Sequence, residues 1–125
     1  MAEFKPDWIV ALGGGSAMDA AKVMWVYYEH PDYDFNKLAN FENPPLRTKA
    51  RMVCIASTSG TASEITAFSV ITDTESKIKY PLVHADFIPD VAIVDPEIPS
   101  KMPALITAQT CLLYTSDAAD EATIV

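Results

Sequence analysis

The chain has 125 residues, half of them hydrophobic, and a formal net charge of −8. That length fits one domain or part of a larger one, and the apolar share is enough for a core. The acidic balance excludes nonspecific nucleic-acid and anionic-membrane binding as expected roles. No apolar run reaches the roughly 20 residues of a membrane-spanning helix. The start MAEFKPDWIV lacks the basic and long apolar stretches of a signal peptide. Cys54 and Cys111 are too few for a disulfide framework, so the cytoplasm is the expected compartment.

In chain order, the apolar run Asp7 to Leu12 ends at glycine and predicts a buried strand. Ser16 to Glu29 predicts a helix. Its apolar residues recur at three- and four-residue steps, and Pro31 stops it. Residues 30 to 49, with Pro44-Pro45, predict an exposed connection carrying one helical turn near Phe35 to Leu38. Met52 to Ala56 predicts a second buried strand. Ala67 to Ile71 and Lys77 to Tyr80, joined by Asp73-Thr74-Glu75-Ser76, predict a hairpin. Val91 to Val94 predicts another strand, closed by Asp95-Pro96, and Thr107 is placed as the N-cap of a last helix. Strand, glycine turn, helix and strand make an α/β unit.

Two loops carry the chemistry, and all four glycines lie in them. Gly13, Gly14 and Gly15 stand between the first strand and the helix. Ligands of α/β sheets bind beyond the carboxyl ends of the strands. Glycine there permits a close approach, and unpaired N–H groups and a positive dipole at a helix start suit a phosphate. Ser16 adds a hydroxyl. The plain alternative is a tight turn without a ligand. The run is neither G-x-G-x-x-G nor a Walker A loop. Asp19 and Lys22 lie three apart, which predicts at least a surface ion pair of about 0.2 to 0.5 kcal/mol. The second loop, Ser57 to Glu64, holds five hydroxyls in eight residues. They suit phosphate, ribose or a carboxamide. Thr61-Ala62-Ser63-Glu64 also fits a helix capping box.

Together GGGSAMDAAK, STSGTASEITAFSVITD, KIKYPL and DVAIVDPE resemble the iron-containing (group III) alcohol dehydrogenases, in order and spacing across residues 6 to 110. The primary-alcohol and butanol dehydrogenases and the bifunctional aldehyde–alcohol enzymes are the most similar branch. The resemblance implies a Rossmann-like α/β nucleotide-binding domain, incomplete here, and a helical metal-binding domain that is absent. It implies NAD or NADP as cofactor, Fe2+ or another divalent metal in the full-length protein, a small alcohol or aldehyde as substrate, and a homo-oligomer at full length. Gly14, Gly15 and Ser16 would hold the pyrophosphate, with Gly13 also in the cofactor site. Thr58, Ser59 and Thr61 would line the nicotinamide side, and Asp19 and Lys79 would also serve the cofactor. Ala56 stands where the family commonly has proline, and Ala62 where it has glycine. A glycerol dehydrogenase or dehydroquinate synthase-like sister, or a nucleotide-phosphate binder without catalysis, are the alternatives.

The resemblance breaks after Thr110. The family's metal ligands are one aspartate and three histidines, the first two spaced i and i+4 on the helix that follows. Here Cys-Leu-Leu-Tyr-Thr-Ser-Asp follows, and no histidine comes after His84. His30 and His84 are therefore not expected to be metal ligands; His84, in a loop, is expected to face cofactor or solvent, and no catalytic residue is assigned. One back-translation of Cys111 to Glu121 resembles a transposase mosaic end joined to a sequencing adapter. Residues 1 to 110 are thus expected to be partial dinucleotide-binding domain and 111 to 125 a non-native tail. The start is expected to be truncated too, ahead of Lys5, and the isolated chain to fold poorly through exposed strand edges.

Overall fold

The computed structural model describes residues 3–115. In chain order its elements are β1 (Trp8–Gly13), α1 (Gly15–Glu29), α2 (Phe35–Ala39), β2 (Arg51–Ala56), β3 (Phe68–Thr72), β4 (Lys79–Val83), β5 (Val91–Ile93) and α3 (Ala104–Thr115). The strands β1, β2 and β5 form a parallel sheet in the order β1-β2-β5, and β3 and β4 form an antiparallel hairpin. The α/β, Rossmann-like class expected from the sequence is the class observed.

Alternation along the strands decides which face of the sheet meets the core. Ile9 and Ala11 of β1 and Met52, Cys54 and Ala56 of β2 are buried. They form one core with Met18, Trp25 and Val26 of α1. The helix lies between two layers, the sheet on one side and β3 of the hairpin on the other. Leu38 of α2 and Leu82 of β4 complete the core on the hairpin side, where Phe35 and Tyr80 meet edge to face at 5.3 Å.

The opposite face of the sheet is apolar and is left uncovered by the described residues. The parallel register sets Val10, Val53 and Val91 in one row and Leu12, Ile55 and Ile93 in the next. Val10 and Leu12 are 62% and 61% exposed. Parallel sheets are normally covered on both faces.

Hydrogen-bonded acids lock the amino-terminal end of the sheet. Glu29, at the end of α1, accepts from Trp25 Nε1 at 2.9 Å, Thr48 N at 3.0 Å, Thr48 Oγ1 at 2.7 Å, and Lys49 N and Ala50 N at 3.2 Å. One carboxylate thus fixes the segment that leads into β2. Asp86 and Asp90 both bind the Arg47 guanidinium, at 2.9 and 3.0 Å. Asp90 also accepts from Met52 N at 2.9 Å, which ties the start of β5 to β2.

Four details differ from the sequence reading. The hairpin's second strand is Lys79–Val83 rather than Lys77 to Tyr80, because Lys77, at φ 58°, belongs to the turn. The last helix begins at Ala104, with Thr107 inside it and its N–H bonded to Pro103 O, so Thr107 is not an N-cap. No helix follows Thr61-Ala62-Ser63-Glu64, so the capping box caps nothing. Ala62 instead takes a left-handed φ of 54°. His84 is buried between Pro44 O, 2.7 Å from Nε2, and Asp86 N, 3.0 Å from Nδ1, rather than open to cofactor or solvent. Of the expected tail, residues 111–115 continue α3, and 116–125 lie outside the described residues.

Three outcomes follow from this packing. Burial alone would raise the Glu29 carboxyl, but the Thr48, Ala50 and Lys49 donors outweigh it and hold it at about 2, against 4.5 when free. A lowered carboxyl contributes stability above pH 4.5 that is lost as pH falls towards 2. Glu29→Gln is expected to cost on the order of 3 kcal/mol at pH 7 and nearly nothing at pH 2, read by urea unfolding at both. Ala62→Gly is expected to stabilise by roughly 0.5 to 1 kcal/mol, measured as a raised Tm, by relieving a left-handed alanine. The uncovered sheet face is expected to bind an apolar-surface dye and to drive association as concentration rises, and Val10→Lys with Leu12→Lys to reduce both.

Candidate functional site

The candidate site sits at the carboxyl end of the sheet, where β1 and β2 release the two glycine-bearing loops. Gly13 makes the turn from strand to helix. A Cβ there would lie 2.6 Å from Ala17 Cβ, so any larger residue forces α1 away from β1. Gly13 O accepts from Ser57 N at 2.9 Å, which brings the start of the second loop beside the glycines.

Gly14 is the N-cap of α1 and receives no side-chain cap. No acidic residue stands in the first turn. Its carbonyl accepts from Ala17 N and Met18 N at 3.1 and 3.2 Å, which leaves the N–H groups of Gly15 and Ser16 at the open end of the helix. The helix dipole is positive at this end, and no acidic residue of the first turn neutralises it.

The second loop folds onto this helix start. A Cβ at Gly14 would come within 3.3 Å of Thr58 Oγ1. A Cβ at Gly15 would come within 3.1 Å of Thr61 Oγ1 and 3.2 Å of Ser63 Oγ. Glycines therefore let three hydroxyls reach the first turn of α1. Ser63 donates to Thr61 Oγ1 at 3.3 Å, and the two make one polar cluster. Ser59 points the other way, 3.5 Å from Cys111 Sγ, into a cavity of about 350 Å³ lined also by Thr58, Glu64, Val94 and Asp95. A side chain at Gly60, at φ 134°, would strike the Thr110 carbonyl of α3.

Of the residues singled out in the sequence, Gly13, Gly14, Gly15, Ser16, Thr58 and Thr61 thus come together, and Ser59 flanks them. Lys79 stands apart, exposed at the start of β4 and paired with Thr72. Asp19 and Lys22 are not a surface pair. Lys22 is fully buried and donates to the carbonyls of Thr66 at 2.8 Å and Phe68 at 2.7 Å. Asp19 is 9% exposed and accepts from Val70 N at 3.0 Å through Oδ2, while Oδ1 has no hydrogen-bond partner among the described residues. Burial pushes the Asp19 carboxyl up, against the Val70 N–H and the charge of Lys22. Burial likewise pushes the Lys22 ammonium down, partly offset by Asp19. Ser63 was outside the expected set. Its signal was its place two residues beyond Thr61 in a hydroxyl-rich loop.

Other reactive groups are occupied. Cys54 is fully buried under the loop, and burial raises its thiol to about 11, which makes it packing rather than a nucleophile. His30 bonds Pro45 O at 2.7 Å through Nε2. Among the described residues no three His, Cys, Asp or Glu side chains gather closely enough to hold a metal ion. They do not fit an iron site. No described helix is long and apolar enough to cross a membrane.

Known proteins are similar to this chain in sequence and in fold. The NADPH-dependent butanol dehydrogenase of Clostridium saccharobutylicum is 55% identical over 111 residues, which are 88% of this chain and 29% of that protein. The bifunctional aldehyde-alcohol dehydrogenase AdhE of Escherichia coli (strain K12) is 47% identical over 114 residues, 84% of this chain and 13% of its own length. Among solved structures, the iron-containing alcohol dehydrogenase of Thermococcus thioreducens superposes with a TM-score of 0.75 at 36% identity, over 89% of this chain and 30% of that one. The sulfoacetaldehyde reductase of Bifidobacterium kashiwanohense, solved with NAD+, superposes at 0.74 with 36% identity, over 83% and 27%. The chain spans less than a third of each of these proteins. A family profile described as iron-containing alcohol dehydrogenase matches residues 1–96, and with the glycine turn, hydroxyl loop and parallel sheet in agreement, the chain belongs to that family.

Proposed function

We propose that residues 1 to 110 form part of the dinucleotide-binding domain of an NAD(P)-linked alcohol dehydrogenase that interconverts primary alcohols and aldehydes. The observation that carries this reading is the uncapped start of α1 at Gly14, with the hydroxyls of Thr58, Thr61 and Ser63 folded against it. A relative is an NADPH-dependent butanol dehydrogenase and a structural neighbour holds NAD+, so both cofactors stay within the proposal.

A nicotinamide cofactor, when bound, supplies the hydride donor or acceptor. The protein's part is placement. The N–H groups of Gly15 and Ser16, with the helix dipole, would offset pyrophosphate charge. The bare Cα atoms of Gly14 and Gly15 allow the close approach, and the Ser16 hydroxyl adds a donor. Thr58, Ser59 and Thr61 would orient the nicotinamide side. Asp19 Oδ1, buried and without a hydrogen-bond partner among the described residues, is a spare acceptor one turn into the same helix. Lys79 enters the reading through the family resemblance. Iron, the cytoplasm and assembly into homo-oligomers belong to the full-length enzyme in this reading. The chain by itself binds cofactor without turning over alcohol, since the described residues gather no metal-ligating set. Residues 111 to 125 are read as non-native, which resequencing the coding DNA behind them tests directly.

Titration of the purified chain with NADH and with NADPH, followed by nicotinamide fluorescence, is expected to saturate for at least one and to be competed by ADP-ribose. Gly15→Val pushes a branched side chain against Thr61 and Ser63 and is expected to weaken binding at least about tenfold, some 1.4 kcal/mol. A folded chain that binds neither cofactor overturns the proposal.

A further inference from the structure

The hydroxyl loop, residues 57 to 67, holds no helix or strand, yet its side chains lie within 3.1 to 3.3 Å of where a Cβ on Gly14 or Gly15 would stand. Its start is fastened by Ser57 N to Gly13 O. Its end needs a second anchor, and α1 provides one. Lys22 Nζ, in the fully buried Lys22, lies between Thr66 O and Phe68 O. One turn back along the helix, Asp19 holds the next two residues of the same strand. Ser69 Oγ donates to Asp19 O at 2.9 Å, and Val70 N donates to Asp19 Oδ2 at 3.0 Å.

We propose that Lys22 is a positioning residue for cofactor binding, whose ammonium fastens the end of the hydroxyl loop to α1 and so sets the gap between that loop and the glycine turn. The inference rests on the cofactor reading of the site. The helix makes the spacing rigid. Seven residues separate Gly15 from Lys22, about 10 Å of axis at 1.5 Å per residue. The N–H groups that face the phosphate and the ammonium that holds the loop therefore sit on one bar. A methionine or leucine would fill the same space without desolvating a charge. What they lack is donors, and two backbone carbonyls at one end of the loop are what the donors meet. An apolar contact there would permit the loop to slide, whereas two short hydrogen bonds fix its register.

Lys22→Met in the full 125-residue chain tests this, with Val23→Ala as a control that removes core volume from the same helix. Hydrogen exchange is followed by mass spectrometry over residues 57 to 67 and over β1 and β2, and the Kd for NADPH and NADH by fluorescence. For Lys22→Met, exchange is expected to rise at least tenfold in residues 57 to 67 alone, with cofactor binding weakened by a similar factor. For Val23→Ala the rise is expected to be even along the chain. Should Lys22→Met fail to fold, Lys22→Gln, which keeps an N–H donor on a side chain one atom shorter, is expected to raise exchange in residues 57 to 67 selectively but by less than about tenfold, and an even rise along the chain overturns the anchoring. Exchange in the loop that is unchanged, or raised no more than elsewhere, overturns the anchoring. Selective loosening with full cofactor affinity overturns the positioning role. A folded wild-type chain that binds neither cofactor overturns the function proposed above, and the exchange pattern still reports on the anchor.

Discussion

Three ionisable side chains on the buried side of α1 hold the layers in register. Lys22 and Asp19 bind backbone groups of β3 and the residues before it, and Glu29 binds the segment that leads into β2. Apolar contacts from Met18, Trp25 and Val26 give the helix reason to be buried, but such contacts are non-directional. Hydrogen bonds to particular carbonyls and N–H groups decide where along the helix each neighbour stops. Because buried donors and acceptors must be matched, a slip of one residue would leave several of them unsatisfied. The polar contacts therefore select one arrangement among those the core would accept.

The two ends of the sheet are built differently, and function follows from that asymmetry. At the amino end, Asp86, Asp90, Arg47 and Glu29 close the structure with ion pairs and carboxylate contacts to backbone N–H groups. At the carboxyl end, the first N–H groups of α1 carry no cap, and glycines replace side chains. Bonding capacity is used up where the sheet is tied together and left over where a ligand would approach. That is the usual position of ligands on open parallel sheets.

Much of this was legible residue by residue. Asp7 to Leu12 and Met52 to Ala56 read as strands because their apolar runs are short and end at small residues, and the strands observed are Trp8–Gly13 and Arg51–Ala56. The helix over Ser16 to Glu29 read from its periodicity, and the glycine run from its place between strand and helix. The errors share one cause. Asp19 and Lys22 look like a surface pair, since charged residues three apart on a helix usually are. His84 looks like a loop residue, and Thr61-Ala62-Ser63-Glu64 looks like a cap. In each case the local pattern is ordinary, and a distant segment overrides it: β3 for Asp19 and Lys22, Pro44 for His84, the glycine turn for the loop. A hint was present on α1, where Asp19, Lys22, Val26 and Glu29 fall on one stripe that is buried with a valine in its middle.

By itself the sequence determined the α/β class, the strands over Asp7 to Leu12 and Met52 to Ala56, the two glycine-bearing loops at their ends and the family resemblance, because these rest on local periodicity and on short motifs. Only the tertiary structure decided that the loops face each other, that Ser63 joins Thr58 and Thr61 against Gly14 and Gly15, and that Lys22 and Asp19 lie inside. Those facts depend on contacts between residues more than 40 positions apart. Sequence patterns report what a residue prefers among its neighbours in the chain. Which backbone group it meets across the fold is set by packing the whole core at once.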